Sequence, residues 1–305
     1  MRFNLVSNIT NGVGLSQDYA ILRAALEARG HHVDGVLYNQ PPTSAPKADI
    51  NVFLELVTPQ HFVLAREQWL VPNPEWFFRG ETLPHFSRIL AKTKDGQQIF
   101  VRLTGDLQPK PTTSFLGWRS RDLYQPETPR QRKFLHISGK SQFKNTEAVL
   151  DCWHRFQPAA ELLVVGQHYR SEISGVTCFH RLPEERLAAL MNECQFHLLP
   201  AAYEGWGHAL HEGLGVGAFL ITSDAPPMNE IPAALLVPAC GQRTYNYGML
   251  HKVSAEAVHD AVLRALATPD ELVAQHRASA RSAFLREGQE FERNLDSILE
   301  MTTDH

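Results

Sequence analysis

Residues 203–212 read Tyr203-Glu204-Gly205-Trp206-Gly207-His208-Ala209-Leu210-His211-Glu212, and Gly213-Leu214-Gly215-Val216-Gly217 follows. Two carboxylates therefore stand on either side of a glycine-punctuated helix start. The loop before the helix can hold Glu204 beside a ligand, and Glu212 falls just over one turn inside the helix. Between them, backbone N–H groups with no partner inside the helix form an anion pocket. Two acids flanking such a pocket suit a ligand that carries both hydroxyls and phosphate. A nucleotide sugar is such a ligand.

A second set of residues points the same way. Leu135-His136-Ile137-Ser138-Gly139-Lys140-Ser141-Gln142-Phe143-Lys144-Asn145 places two lysines just past the carboxyl end of an expected strand, next to a glycine. Ligands of open α/β sheets bind at that position. A diphosphate needs cations to hold its charge, the more so when it leaves with an extra negative charge. The ordinary reading of each lysine is a solvated loop residue; the placement and the carboxylate motif favour the functional one.

Other chemistry is less well supported. His208, His211 and Glu212 could be read as a zinc cluster, but the spacing is not H-E-x-x-H and the surrounding glycines favour phosphate approach; no metal is expected. Gly12-Val13-Gly14 could let the backbone approach the donor diphosphate or an acceptor, or could be a tight strand-to-helix turn. His61, His85 and Asp106 are acceptor-side candidates whose ordinary structural readings outweigh the functional ones. Trp76-Phe77-Phe78 reads as core before it reads as an acceptor or membrane-facing surface. Trp69 gives no evidence of a stacking platform.

The elements that must position these residues alternate. In the first half, Phe3–Val6, Val33–Tyr38, Ile50–Leu56, Gln68–Val71 and Gln98–Leu103 read as strands. Ser16–Arg29 has helical apolar spacing ended by Gly30, and a helix is expected over Glu81–Ala91 despite Pro84. The polar, proline-bearing stretch Gly117–Lys133 reads as a linker. In the second half, strands are expected at Phe134–Ile137, Leu162–Val165, Gln195–Leu199, Phe219–Thr222 and Leu235–Val237. Helices are expected at Thr146–Phe156, from Pro183-Glu184-Glu185 onward, and over Ser254–Ala267 and Pro269–Leu285. Strands alternating with helices mean parallel sheets built from βαβ units.

The bulk numbers agree. A chain of 305 residues fits two medium domains. A net charge of -4 argues against a general nucleic-acid binder. No run of about eighteen apolar residues occurs, so no membrane span is expected. The start Met1-Arg2-Phe3-Asn4-Leu5-Val6-Ser7 reads as a first strand rather than a signal peptide. Cys152, Cys178, Cys194 and Cys240 lack metal spacing and read as reduced, buried thiols of a reducing compartment.

Taken together, Gly139-Lys140…Lys144, Leu199-Pro200-Ala201-Ala202, Glu204-Gly205-Trp206-Gly207-His208…Glu212 and Asp224-Ala225-Pro226-Pro227-Met228-Asn229-Glu230 resemble the C-terminal domain of retaining GT-B glycosyltransferases. The similar group carries an E-x7-E signature and is often called family 4, or glycosyl transferases group 1. The resemblance covers about Lys133 to Pro238. It implies an α/β fold of two Rossmann-like domains facing across a cleft: residues 1–125 on the acceptor side, 126–285 binding the nucleotide sugar, and a final helix over 286–305 packing back on the first domain.

The resemblance also implies roles. Glu204 meets hydroxyls of the transferred sugar, Glu212 holds the nucleotide ribose, and Lys140 and Lys144 meet the diphosphate. Backbone N–H groups around Gly205, Gly207 and His208 cap it, Gly139 lies beside it, and the loop with Phe179 and His180 borders the base. Gly12 and Gly14 are the first-domain candidates on the donor side. Such enzymes need no obligatory metal and no cofactor beyond the nucleotide sugar as substrate. The expected partners are that donor and a carbohydrate or lipid-linked acceptor, with no nucleic acid. The expected location is cytoplasmic, with peripheral association at the inner face of a membrane compatible with a lipid-linked acceptor. The chain departs from the family in having lysine where arginine is usual at position 140, a basic pair one residue closer, tryptophan for phenylalanine at position 206, and a short first domain. Competing readings are a nucleotide-sugar epimerase or sugar-phosphate synthase of the same fold, or a non-catalytic nucleotide-sugar-binding subunit. An NAD-linked dehydrogenase would need a third glycine that the Gly12-Val13-Gly14-Leu15-Ser16-Gln17 loop lacks.

Overall fold

The computed structural model describes residues 1–10, 12 and 14–303. Asn11 and Val13 of the first glycine turn lie outside the described residues. The chain divides into two compact units: Met1–Arg119 with Asn246–Gly248 and Gln289–His305, and Ser120–Tyr245 with Met249–Gly288.

Unit 1 is built from β1 (Arg2–Ser7), α1 (Gly14–Glu27), β2 (His32–Leu37), β3 (Ala48–Leu54), β4 (Ala65–Val71), β5 (Arg88–Ala91), α2 (Lys94–Leu103) and β6 (Thr112–Phe115). Its six strands lie in the order β2-β1-β3-β4-β5-β6, and every pair is parallel. Parallel strands need both faces covered, and the side chains alternate to supply two cores. Val6, Phe53, Leu70 and Ile89 point to one side, where Phe77, Phe86 and Phe100 complete the cluster. On the other side Phe3 meets Trp69 edge to face at 5.9 Å.

Three expectations for unit 1 need correction. Gln98–Leu103 is not a strand; it is the second half of α2. Thr93 caps that helix by accepting a hydrogen bond from the Gly96 N–H at 3.0 Å, and Asp95 sits in its first turn. The residues expected as a helix over 81–91 form a short 3-10 turn, Gly80–His85, and then β5. Pro84 stops the helix, and Ile89, Leu90 and Ala91 are fully buried between β4 and β6. Of the aromatic triplet expected as core, only Phe77 is buried; Trp76 and Phe78 are exposed.

Unit 2 contains β7 (Gln131–Gly139), α3 (Thr146–Phe156), β8 (Leu162–Gly166), β9 (Val176–Phe179), α4 (Glu184–Glu193), β10 (Cys194–Leu199), α5 (His208–Gly215), β11 (Phe219–Asp224), β12 (Leu235–Tyr245), β13 (Gly248–Val253, from Met249 on) and α6 (Ala255–Ala267). The final helix α7 (Asp270–Thr303) begins here, and its residues from Gln289 on count with unit 1. The strand order is β13-β12-β11-β10-β7-β8-β9. One face buries Phe134, Phe196, Phe219 and Ile221 against Val149 and Trp153 of α3 and Val258 and Val262 of α6. On the other, Leu220 joins Leu210 and Leu214 of α5. Phe134 and Phe196 stack at 4.8 Å in the middle of the sheet.

From β7 the chain builds outward to β8 and β9, then returns to place β10 on the opposite side of β7. The loops after β7 and β10 therefore part toward opposite faces of the sheet. Such a reversal opens a crevice beyond the carboxyl ends of the two strands. Of the four cysteines expected as buried, Cys152 and Cys194 are; Cys178 is half-buried, and Cys240 is exposed in the part of β12 beyond Val237.

Candidate functional site

The crevice of unit 2 is assembled by hydrogen bonds between its two loops. The Ala202 N–H donates to the Phe143 carbonyl at 2.8 Å. Asn145, in the left-handed region at φ 50°, donates through Nδ2 to the carbonyls of Pro200 at 2.8 Å and His251 at 3.0 Å. Beneath them His136 is fully buried in β7. Its Nδ1 lies 2.7 Å from the Leu198 carbonyl, which can only accept, so Nδ1 carries the proton. Nε2, 2.8 Å from the Thr146 hydroxyl, then accepts. Burial pushes this imidazole down to about 4, so it stays neutral. One histidine thus ties β7 to the end of β10 and to the first residue of α3.

This bracing sets Lys144 against Glu204. The two form an ion pair with side chains 16 % and 12 % exposed, low enough for the surroundings to screen it poorly. With His136, Ile137, Leu199, Ala201, Ala209 and Leu210 they line a narrow, closely packed depression. Gly207 follows at φ +86°, and a Cβ there would stand 3.0 Å from Leu210 Cδ1 and 3.1 Å from Glu204 Cγ. Glycine is therefore needed twice, for its backbone angle and for the space that Glu204 occupies. His208 opens α5.

The remaining expected residues divide. Glu212 is buried within α5 and accepts from Arg121 Nε at 2.8 Å; the same guanidinium reaches Glu184 at the start of α4. Lys140 is exposed on the loop that carries Lys144. Gly139 takes φ +57° with open space where a Cβ would go. Gly205 is buried in the Glu204 loop. Phe179 ends β9 half-buried and His180 is exposed, two strands from β7 in the sheet order. The three residues weighed as a zinc cluster have separate protein partners. His208 Nδ1 is 2.8 Å from the Ser120 hydroxyl, His211 Nδ1 is 2.8 Å from Glu287, and Glu212 is held by Arg121. Among the described residues no three His, Cys, Asp or Glu side chains are grouped so as to hold a metal ion, and no helix is long and apolar enough to cross a membrane.

Sequence reasoning missed Arg121, Ser120 and His136. Arg121 and Ser120 lie in the segment read as linker, where nothing local marks a side chain as part of a site more than eighty residues away.

In unit 1, Gly12 is exposed at φ +64° and Gly14 is the first residue of α1. His61 is buried, with Nδ1 2.7 Å from the Thr58 hydroxyl; His85 and Asp106 are exposed. A different group gathers at the carboxyl ends of the strands. Glu55, just past β3, holds φ +65°, a conformation side chains rarely adopt. It accepts from Asn73 Nδ2 at 2.5 Å. Burial, partly opposed by that hydrogen bond and by Lys92, pushes its carboxyl up to about 7. Lys92, just past β5, pairs with Asp18 of α1 at 2.7 Å, both side chains almost fully buried. Strained backbone and a displaced carboxyl at strand ends are marks of a binding site.

No family model and no curated protein matches the sequence. Solved structures do. A sucrose-phosphate synthase from Thermosynechococcus elongatus is similar over 100% of both chains, with a TM-score of 0.71 at 13% identity. The Anabaena protein HepE, solved with UDP and glucose, is similar over 100% of both chains, with a TM-score of 0.68 at 13% identity. An α,α-trehalose-phosphate synthase (UDP-forming) from Burkholderia vietnamiensis has a TM-score of 0.62 at 10% identity, over 95% of this chain and 81% of that one. Against the GtfA/B complex the TM-score is 0.62 at 15% identity; this chain spans only 58% of that chain's length. The likeness shows the fold: two parallel-sheet α/β domains of the GT-B glycosyltransferase type.

Proposed function

We propose that this protein is a glycosyltransferase that moves a sugar from a nucleotide-sugar donor to a hydroxyl acceptor with retention at the anomeric carbon. The observation that carries the reading is the Lys144–Glu204 pair. Two loops sixty residues apart in sequence deliver a cation and an acid to the point where the strand order reverses, beside the start of α5. Bound donor would draw Lys144 onto its diphosphate. Glu204 would then turn to hydroxyls of the transferred sugar, and backbone N–H groups from Gly207 on would cap the phosphate. Glu212, oriented by Arg121, would meet the ribose. The likeness to HepE, solved with UDP and glucose, supports a uridine donor. In this reading the leaving phosphate oxygen helps to deprotonate the acceptor, cations and N–H groups hold the charge that develops, and no metal is required.

The acceptor side is assigned to Glu55 with Asn73, whose carboxyl and amide suit a polyhydroxyl ligand. The full-length likeness to a sucrose-phosphate synthase and the likeness to trehalose-phosphate synthases favour a sugar or sugar phosphate there. A lipid-linked acceptor with peripheral attachment to the cytoplasmic membrane face is a second reading, favoured only by exposed Trp76 and Phe78.

The experiment is incubation of purified protein with UDP-glucose, with and without glucose 6-phosphate, fructose 6-phosphate and simple sugars. Release of UDP that depends on one acceptor, giving a product with the donor's anomeric configuration, supports the assignment. UDP-sugar bound without turnover under every condition would instead make it a binding subunit, and isomerised donor without acceptor would make it an epimerase.

A further inference from the structure

Between the end of β10 and Glu204 the chain runs through Pro200-Ala201-Ala202-Tyr203 without helix or strand, yet Ala201, Ala202 and Tyr203 are buried. Buried carbonyls need partners. Those of residues 198 to 202 each accept a hydrogen bond from another part of unit 2. Leu198 accepts from His136 Nδ1 at 2.7 Å, Leu199 from Thr222 Oγ1 at 2.9 Å and Pro200 from Asn145 Nδ2 at 2.8 Å. Ala201 accepts from Ser223 Oγ at 2.7 Å, and Ala202 from the His251 N–H at 2.8 Å. Past the acid, Trp206 Nε1 donates to Ser120 Oγ at 3.0 Å.

The sheet explains why side chains supply these bonds. β10 pairs with β11 in parallel as far as Leu199 and Thr222. The next partners in that register would be Pro200 and Ser223, and proline has no N–H to continue the ladder. Two hydroxyls at the end of β11 replace it. Thr222 and Ser223 are fully buried, and a carbonyl oxygen can only accept, so both hydroxyls donate. The loop has little stiffness of its own, because Gly205 and Gly207 follow Glu204. Its single conformation therefore comes from the groups that hold its carbonyls.

We propose that Thr222 and Ser223 are positioning residues for Glu204: their hydroxyls hold the backbone that leads from β10 to the acid, so that its Cα stays fixed when a nucleotide sugar draws Lys144 away. The inference rests on the nucleotide-sugar reading of this site and adds to it which parts move. Lys144 swings to the diphosphate, and the Glu204 carboxylate turns to the sugar from a backbone already in place. An acid held in advance need not be ordered during transfer. Both hydroxyls are fully buried, so they act through Glu204 and touch no ligand themselves.

The test has a ligand-free part and a kinetic part. Hydrogen exchange followed residue by residue reads the loop in the protein alone. Ser223→Ala, and Thr222→Val as a second variant of similar shape, should speed exchange of the amides between Ala201 and Gly205 at least about tenfold, with those of β7 and β8 unchanged. Thr222→Ser keeps the hydroxyl and should exchange as wild type does. Turnover of UDP-glucose with the acceptor that supports it reads the consequence. Ser223→Ala should lower kcat about tenfold, while UDP affinity by calorimetry stays within about twofold of wild type. In a Glu204→Gln background the Ser223→Ala change should lower transfer by less than about twofold more, because the acid it positions is already lost. Unchanged exchange in both variants overturns the proposal whatever the protein's activity. So does faster exchange with kcat unchanged, or an undiminished effect in the Glu204→Gln background, because the hydroxyls would then serve the fold alone. A wild type whose segment exchanges slowly but which neither binds nor turns over UDP-glucose strikes at the nucleotide-sugar reading itself, and removes the ligand for which Glu204 is held.

Discussion

Lys144 and Glu204, sixty residues apart in the chain, are paired in the ligand-free protein, with both side chains largely removed from water. The carboxylate therefore competes with any diphosphate for the same ammonium group. The two substitutions should move nucleotide affinity in opposite directions. Lys144→Ala removes a phosphate contact and should weaken UDP by about 1.5–3 kcal/mol, the worth of a hydrogen bond to a charged group. Glu204→Gln releases the lysine and should leave UDP binding equal or tighter, while sugar transfer falls at least about a hundredfold through loss of a transition-state contact. Calorimetry and a turnover assay on the same preparations separate the two. Weaker UDP binding in both variants would mean that the pair acts as structural glue rather than as two halves of a ligand site.

Gly207→Ala tests the loop that holds Glu204. A methyl group would be pressed against Leu210 and the stem of Glu204, at a backbone angle where alanine is strained. The expected cost is more than about 1 kcal/mol of stability, together with loss of transfer. A lower melting temperature and unchanged activity would show that Glu204 tolerates displacement.

Arg121→Ala leaves the Glu212 carboxylate, 6% exposed, without its guanidinium partner. Removing one member of a buried pair costs about 3–5 kcal/mol, somewhat less here because Arg121 is itself 33% exposed. Adding Glu212→Gln to that variant should recover part of the lost stability but not the activity. Chemical denaturation of the single and double variants measures the recovery; a double variant no more stable than Arg121→Ala would count against a charge-pair role.

How much of this was legible in the chain depends on the distance over which each residue acts. The alternation of strands and helices in unit 2 was readable because strands such as Leu162–Val165 are continuous apolar runs buried on both faces. Glu204, Lys144 and Gly207 were readable from spacing and from glycine. Arg121, Ser120 and His136 were not, since their roles exist only once β7, β10 and α5 are brought together. The misreadings in unit 1 have local causes. Ile99-Phe100-Val101 looks like a strand until the Thr93 cap is recognised, and β6 is a short edge strand with little apolar signal, as β9 and β13 are in unit 2. Nothing in the sequence marks Glu55, whose strain and displaced titration arise from its place between β3, β4 and β5.

Glu55→Gln supplies the pH test. The native carboxyl titrates near 7 and the unfolded one near 4.5, so the folded protein holds a proton that the unfolded chain has already lost. Stability contributed by Glu55 is thus complete below about pH 4.5 and is lost as pH rises through 7. Glutamine keeps an acceptor for Asn73 and never ionises. The variant should match wild type at pH 4.5 and exceed it above pH 7 by on the order of 1–3 kcal/mol. It should also raise the acceptor KM or lower turnover while UDP affinity stays unchanged. Equal stability of the two proteins across the pH range would remove the displaced carboxyl, and a changed UDP affinity would remove the acceptor-side assignment.

The central claim is that the crevice where β7 and β10 part, beside α5, holds a nucleoside diphosphate. Its most direct test is a structure of the wild-type protein determined with UDP. The account predicts the β-phosphate against the backbone N–H groups that follow Gly207, with the Lys144 ammonium moved from Glu204 onto it. UDP found elsewhere, or bound with the Lys144–Glu204 pair still closed, would contradict it.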